Sequence, residues 1–442
     1  MMLDQTYART LEGIPKQKSQ HAHRLFQCLV AAIRPLHVEE LAEIFAIGFD
    51  LGATGNFMEG WRPENPEEAI LSACSTLIAV IGDEEGSKIV QFSHFSVKEF
   101  LVSERLRTLE VGNLRDFYTH LDAAHIILAQ ACLTVLLQLD KKMNKTHIMT
   151  YPLALYATQH WFSHAKYDVA SQVQGAMEQL FDPSKPYLAA WVWLHDVDEG
   201  RPHRSIDDIE HHPSRPKASA LYYAMSCGLG GLIEYLMSMR GEDINAQCGV
   251  HGTPLHVASR NGHLNAVSLL LDHGAGLNMV NNYGSTPLCA AYDGGQLEVM
   301  RLLLDHGAAA DVRHDNYGLL THDASCCRRV DAITLLLQYN ADVNATSAYN
   351  RMPLHWAAEY GHANVTRVLL EHGADTNALC DHGTPLGRAS FNGYLEVARL
   401  LLEHGADVHI RDPSGQTPFR EATRRGRVQI AQLLLEYGAK KE

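Results

Sequence analysis

A mainly α-helical chain ending in a solenoid of about seven stacked helix pairs is the fold this sequence predicts, and three observations predict it. The first is a recurring phrase: Thr253-Pro254-Leu255-His256, Thr286-Pro287-Leu288, Met352-Pro353-Leu354-His355, Thr384-Pro385-Leu386 and Thr417-Pro418-Phe419. The second is its spacing, 33 residues with one step of 32, and a worn copy at Leu319-Leu320-Thr321-His322 fills the gap at the expected place. The third lies between the phrases, where Val267, Leu270 and Leu271 supply a helical apolar face bounded by Gly262 and Gly274.

Each part of the repeat has a physical reading. Thr253 stands where a helix N-cap belongs, with a hydroxyl able to accept from an orphan N–H. Pro254 takes the first helical position, where its missing N–H costs nothing. Gly262 ends the first helix at a site suited to positive φ, and Gly274 stops the second. The residues up to the next Thr form a hairpin-like finger. One such unit cannot bury its own apolar face, so neighbours must stack. The period and the T-P-L-H-x-A wording together are the ankyrin signature.

Residues 218–442 are read as the ankyrin array. Ser219-Ala220-Leu221-Tyr222-Tyr223-Ala224 falls 34 residues before Thr253 and is a degenerate first repeat that caps the array. The fourth repeat is degenerate too. It has lost Thr-Pro-Leu and carries Arg328 where the second has Gly262, so its caps are expected to be weak and its hydrogen exchange fastest around residues 312–330.

At 442 residues the chain is too long for one compact core. Hydrophobic content of 46% with 20% charged residues is ordinary for a globular protein. A net charge of −14 argues against a general nucleic-acid or anionic-membrane binder. Nine cysteines, an odd number without zinc spacing, suit a reducing, cytoplasmic setting. The most apolar stretch, 123–139, is interrupted by His125, Gln130 and Gln138 and reads as a core helix rather than a membrane span.

In residues 1–103, helices are expected over 3–12, from Ser19 as N-cap to Arg34, over 38–46 and near 67–73. Strands are expected near 76–81 and 89–92, joined by a turn at Asp83-Glu84-Glu85-Gly86, and a last helix starts near Ser96. Helices followed by a two-stranded hairpin make a winged-helix pattern. Residues 104–200 read as a helical connector with stripes at 123–139, 152–166 and 171–181 and Trp161, Trp191 and Trp193 as anchors. Residues 201–217 are a polar linker.

The wording at His21-Ala22-His23-Arg24-Leu25-Phe26, Arg34-Pro35-Leu36-His37-Val38-Glu39-Glu40-Leu41 and Phe92-Ser93-His94-Phe95-Ser96-Val97-Lys98-Glu99-Phe100-Leu101 resembles the winged-helix segment that follows the NTPase domain in fungal NACHT–ankyrin proteins, STAND-class relatives of NOD-like receptors. The resemblance implies a receptor-like signalling design, with the array as sensor of a protein partner and the winged helix as a regulatory element. Such a receptor carries a P-loop, G-x-x-x-x-G-K-[ST], to cradle nucleotide phosphates. This sequence has none, so no cofactor and no NTPase activity are carried over; a nucleotide-dependent switch would need an NTPase domain upstream of Met1. A DNA-binding regulator is a weaker alternative, because the last winged-helix segment offers only Lys98 and Arg105 among Glu99 and Glu104.

Other tempting chemistry reads as scaffold. His160 and His164, at i and i+4, lack a third metal ligand nearby. His273, His306, His372 and His404 belong to the stop signal that ends four of the repeats, and His256, His322 and His355 stand at or near the T-P-L-H position, where the ankyrin resemblance implies hydrogen bonds that tie adjacent turns. Cys326-Cys327 suits the small-residue needs of the fourth repeat. Arg420, Arg424, Arg425 and Arg427 cluster on the last repeat, either as a solvated cap or as a contact for an acidic partner.

In ankyrin proteins the finger tips and the exposed ends of the first helices line a concave binding face. Carried over repeat by repeat, that face comprises the helix-end pairs Arg260-Asn261, Asp293-Gly294, Cys326-Cys327, Glu359-Tyr360, Phe391-Asn392 and Arg424-Arg425. Three finger tyrosines, Tyr283, Tyr317 and Tyr349, join them. Tyrosine and arginine are favoured at binding hot spots. The expected function is a non-enzymatic protein-interaction module.

Overall fold

The computed structural model of the chain describes residues 2–49, 56–82, 86–109, 114–139, 145–166, 170–196, 201–202, 216–314, 318–347 and 350–441. It divides into two compact units, one of residues 1–243 with 248–250 and one of residues 244–247 with 251–442.

The first unit begins with helices Met2–Glu12, Lys16–Ala31, Val38–Phe45 and Pro66–Cys74. The second of these starts after Pro15, three residues before the expected Ser19 cap, and ends at Ala31 rather than Arg34. Proline presets the φ that opens a helix, and Pro35 disfavours helical backbone just before it. Strands Ile78–Gly82 and Lys88–Phe92 pair antiparallel with Val80 opposite Val90. The central strand also pairs with Leu36–His37, which adds a third strand that was not expected. Residues 83–85 of the expected turn lie outside the described residues, and Gly86 closes it at φ +84°. The last expected helix, Phe95–Leu101, starts near Ser96, and His94 caps it, accepting the Ser96 N–H on Nδ1. Phe26, Leu36, Leu41, Ile44, Ile70, Val90 and Leu101 fill the core.

Contacts from Glu43, Ile33 and Arg34 bind this domain to helix Ala154–Ala165 and its cap Leu153, and helix Lys16–Ala31 packs on helix Leu121–Leu136. Glu43, buried, accepts from Arg62 at 2.6 Å and from the Leu153 N–H at 2.6 Å. The Tyr156 hydroxyl accepts from the Ile33 N–H at 3.2 Å, and Arg34 lies 4.9 Å over the Tyr156 ring. His164 is fully buried and meets His125 Nδ1 to Nδ1 at 2.8 Å and Tyr156 at 2.9 Å. Its partners are therefore a histidine and a tyrosine of the core, while His160 packs on the Tyr156 ring. Burial, then His125 and His160, push the His164 imidazole down to about 3. Among the described residues no group of three His, Cys, Asp or Glu could hold a metal ion.

The connector continues through Ala170–Leu180 and Tyr187–Leu194, and Arg201–Pro202, the start of the expected linker, pairs back onto His195–Asp196. Residues 203–215 of that linker lie outside the described residues. Trp161 and Trp191, both fully buried, meet edge to face at 5.5 Å, and Trp191 meets Tyr223 of the first repeat at 6.3 Å. The first repeat, helices Ala220–Cys227 and Gly230–Arg240, thus shares the connector's core.

Among the described residues the second unit holds six helix pairs; second helix stacks on second throughout, and first helix on first between the second and third repeats and from the fourth to the seventh. The six first helices are Pro254–Asn261, Pro287–Asp293, Leu320–Cys326, Pro353–Tyr360, Pro385–Asn392 and Pro418–Arg424. Thr286, Thr384 and Thr417 cap theirs as expected, accepting from the N–H three residues on at 3.4, 3.1 and 3.3 Å. Where that third residue is histidine, the ring takes over. His256 Nδ1 accepts from the Thr253 N–H and hydroxyl, and Nε2 donates to the Ser285 carbonyl of the next finger at 2.9 Å. His355 does the same between Met352 and Ala378, and His322 between Leu319 and the Ala345 and Arg351 carbonyls. The N-terminal side of the fourth repeat is therefore better tied than loss of its Thr implies.

A second ladder was not foreseen. The side chains of Asn245, Asn278, Asp311, Asn344 and Asn377 each accept from a backbone N–H of the following repeat, at 2.7 to 3.0 Å. At the repeat ends, His273, His306, His372 and His404 bond through Nδ1 to the carbonyl four residues back, at 2.8 or 2.9 Å, and so cap the last turn.

Any weakness of the fourth repeat is expected at its helix C-termini. Glycines 262, 295, 361, 393 and 426 end the other first helices at positive φ, and glycines 274, 307, 373, 405 and 438 the second helices. The fourth holds Arg328 at φ +60° and Asn340 at +62°. Left-handed backbone costs an L-residue about 1–2 kcal/mol, less for Asn, and glycine returns part of this through its freer unfolded chain. Arg328→Gly should therefore stabilise the array by roughly 0.5–1 kcal/mol and slow hydrogen exchange most around residues 318–330. A loss of protection there would show that the arginine is not strained.

Candidate protein-binding face

Residues four, seven and eight positions beyond each cap share one side of a helix. Repeated stacking lines them into rows. At the seventh position stand Arg260, Asp293, Cys326, Glu359, Phe391 and Arg424. The structure brings some of the expected residues together and spends others internally.

Toward the start of the rows, Arg260 faces Asp293 at 3.6 Å, and His314 Nε2 bonds the same carboxylate at 2.9 Å. Asn261 is exposed on the helix end. Tyr283 is 77% exposed on its finger, with its N–H donated to Asn281 Oδ1. Tyr317 and Tyr349 lie outside the described residues.

The centre of the rows holds a polar knot. Tyr292, buried, donates to Asp323 at 2.5 Å and lies beneath the Arg329 guanidinium, 4.2 Å from its centroid. Burial and then Asp323 push the Tyr292 hydroxyl up. Burial, Cys327 and Asp323 push the Cys326 thiol up to about 11. A thiol so raised is a poor nucleophile, which fits a structural part for the Cys326-Cys327 pair. The Cys326 carbonyl bonds His362 Nε2 at 2.8 Å.

Beyond it runs a cluster of arginines and rings. Trp356, Tyr360 and His362 stack, with Trp356 and Tyr360 at 6.2 Å and nearly parallel. Arg351 covers Trp356 at 3.7 Å and pairs with Glu359, which Arg388 also reaches at 3.3 Å. Phe391 sits between Arg388 at 5.1 Å and Arg425 at 3.9 Å. Asn392 donates to the Glu359 carbonyl at 3.0 Å, and Arg424 holds both oxygens of Glu421 at 3.0 Å. Glu359 and Asn392 are therefore braces, whereas Tyr360 and Arg425 present exposed side chains.

Arg351, Trp356 and Arg388 were not singled out in the sequence. The signal existed: Trp356, Arg388 and Glu421 all stand four residues past their caps, on the same face as the seventh position.

Ankyrin-repeat models match residues 220–316, 255–347, 321–412 and 380–442, together half of the chain. The winged-helix domain of GPI inositol-deacylase matches residues 8–111. The azaphilone pigments biosynthesis cluster protein L of Monascus ruber is 29% identical over 294 residues, which cover 62% of this chain and 59% of that protein. The match thus spans less than two thirds of that relative's length. Among solved structures, the human ASB11 ankyrin repeat domain is 27% identical, with a TM-score of 0.42, over 51% of this chain and 100% of its own. An ankyrin repeat domain from Acinetobacter baumannii AYE is 28% identical, with a TM-score of 0.41, over 42% and 98%. The ankyrin repeat domain of Bcl-3 is 31% identical, with a TM-score of 0.41, over 43% and 89%. The repeats point to a protein–protein interaction module, and no helix among the described residues is long and apolar enough to cross a membrane. The chain belongs to the ankyrin-repeat family.

Proposed function

We propose that the array captures a protein partner on the face formed by its first-helix ends. The winged-helix domain acts as a regulatory element of a receptor-like signalling protein in the cytoplasm, and the chain itself is not an enzyme. The observation that carries the reading is the cluster of Trp356, Tyr360, Phe391, Arg388 and Arg425. Aromatic and guanidinium groups held by their neighbours lose little conformational freedom on binding and dominate interface energetics. Nine free cysteines are compatible with a reducing compartment.

The test is a photo-crosslinking residue at position 360 or, as a control on a second helix, at exposed position 371 of the full chain. Position 360 should trap a discrete partner and position 371 should not. Tyr360→Ala with Arg425→Ala should then weaken that partner about 30-fold with little change in thermal midpoint. Equal trapping from both faces, or unchanged affinity, would sink the reading.

A second reading is favoured by the winged-helix match to residues 8–111. In it these domains serve a nucleotide-dependent STAND switch whose P-loop lies upstream of Met1. Genomic sequence upstream either encodes an in-frame P-loop or removes that reading.

A further inference from the structure

The third residue past the cap differs along the array. It is histidine at 256, 322 and 355, cysteine at 289, arginine at 420 and glycine at 387. Where histidine stands, its ring reaches across to a carbonyl of the next finger. At Gly387 no side chain reaches across, and a polar cleft of about 190 Å³ opens between Gly383–Thr384 on one side and Asp412–Thr417 on the other. The backbone does not demand glycine here. A Cβ at this position would meet only Thr384 Oγ1, at an ordinary 3.5 Å.

The wall of the cleft toward the helix ends is basic. Arg388 lines it, and its Nε–H is buried without an acceptor while its Nη2 reaches Glu359. Arg424 lines it as well, paired with Glu421. Around the rim, Arg425 covers the Phe391 ring and Arg427 Nε reaches the Phe391 carbonyl at 3.5 Å. Arg351, Arg388 and Arg424 pair with the carboxylates Glu359 and Glu421, and Arg425 and Arg427 stand on the rim, in a chain whose net charge is −14. Asp381 and Asp412 lie on the finger side, where Asp412 Oδ1 is taken by the Gln416 N–H at 2.8 Å.

We propose that this cleft and its rim dock an acidic segment of a protein partner. One carboxylate side chain enters beside Gly387 and meets the Arg388 and Arg424 guanidinium groups that line the cleft. Neighbouring acidic residues meet Arg425 and Arg427 on the rim. Carboxylates match the guanidinium groups of the cleft wall and rim, and charge complementarity steers the approach. The inference rests on the reading that this face captures a protein.

The probe is a library of random peptides panned against the full chain. Selected peptides should carry an excess of Asp and Glu, bind more weakly as salt rises, and lose about tenfold in affinity on Arg388→Gln. Because Arg388→Gln also removes the link to Glu359, Gly387→His is the second variant. It fills the cleft and offers an imidazole to the next finger, so the same peptides should weaken while the thermal midpoint holds or rises. Peptides without an acidic excess, or acidic peptides that bind Gly387→His as tightly as the native chain, overturn the inference. If selected peptides respond to Tyr360→Ala and not to Gly387→His, the face still captures protein and only the acidic cleft fails. Peptides indifferent to every substitution on the face would remove both.

Discussion

Lowering the pH from about 7 to about 5 is expected to weaken the array by roughly 2 kcal/mol through His355 alone. In the fold its Nδ1 must accept the Met352 N–H while Nε2 donates to the Ala378 carbonyl, so only the neutral ring fits. Protonation would set a second N–H against the Met352 donor. Burial outweighs the pull of the Ala378 carbonyl and holds the imidazole down to about 4, against an ordinary value of 6.5. A folded pKa below the unfolded one means that the unfolded chain binds more protons in that window. Stability is thus full above about 6.5 and falls as the pH drops from there toward about 4. His256 and His322, tied in the same way, are lowered by burial too and add in the same direction. Urea titrations of the full chain across this range, read by hydrogen exchange within 253–442, measure the slope. His355→Gln keeps a donor for the carbonyl without the titration, and should be less stable at neutral pH with a shallower acid arm. Equal stability at both pH values would show that the rings are not confined to the neutral form.

Trp191→Ala is expected to cost the first unit about 3–5 kcal/mol. The side chain is fully buried, donates to the Thr158 carbonyl at 2.9 Å, and touches Trp161, Phe181 and Tyr223. Its loss leaves a cavity and an unmatched carbonyl at one point. Because Tyr223 belongs to the first repeat, protection of helices Ala220–Cys227 and Gly230–Arg240 should fall together with that of the connector. Trp191→Phe should recover much of it. If Trp191→Ala leaves the first repeat fully protected, that repeat draws its stability from elsewhere.

The repeats were legible because their defining residues act on their own backbone. Threonine and proline open a helix, and glycine closes it, whatever lies far away. The same local logic singled out Arg328, whose positive φ is the geometry that its neighbours give to glycine. What stayed hidden depends on partners distant in sequence. His125 and His164 meet across 39 residues, Tyr292 and Asp323 across 31, and Leu36–His37 is too short for any alternation to mark it as a strand. The Asn245 to Asn377 ladder keeps the period of the array but lies in the polar loops, where asparagine is common enough to pass as turn chemistry. Of the binding face, the helix-end row followed from the period, whereas the parts of Glu359 and Asn392 as braces needed the arginines and carbonyls they touch.

The asparagine ladder and the histidine ties share one property: every bond reaches only the adjoining repeat. Mechanically, the second unit is a set of springs joined in series. A load applied to its ends passes through each junction in turn, and giving way at one junction releases one repeat, roughly 110 Å of chain when drawn out. With Arg328 and Asn340 at positive φ, the fourth repeat, in the middle of the series, is expected to yield first. Tension on the array would thus be relieved between its two halves, leaving the cluster of the fifth to seventh repeats in one piece.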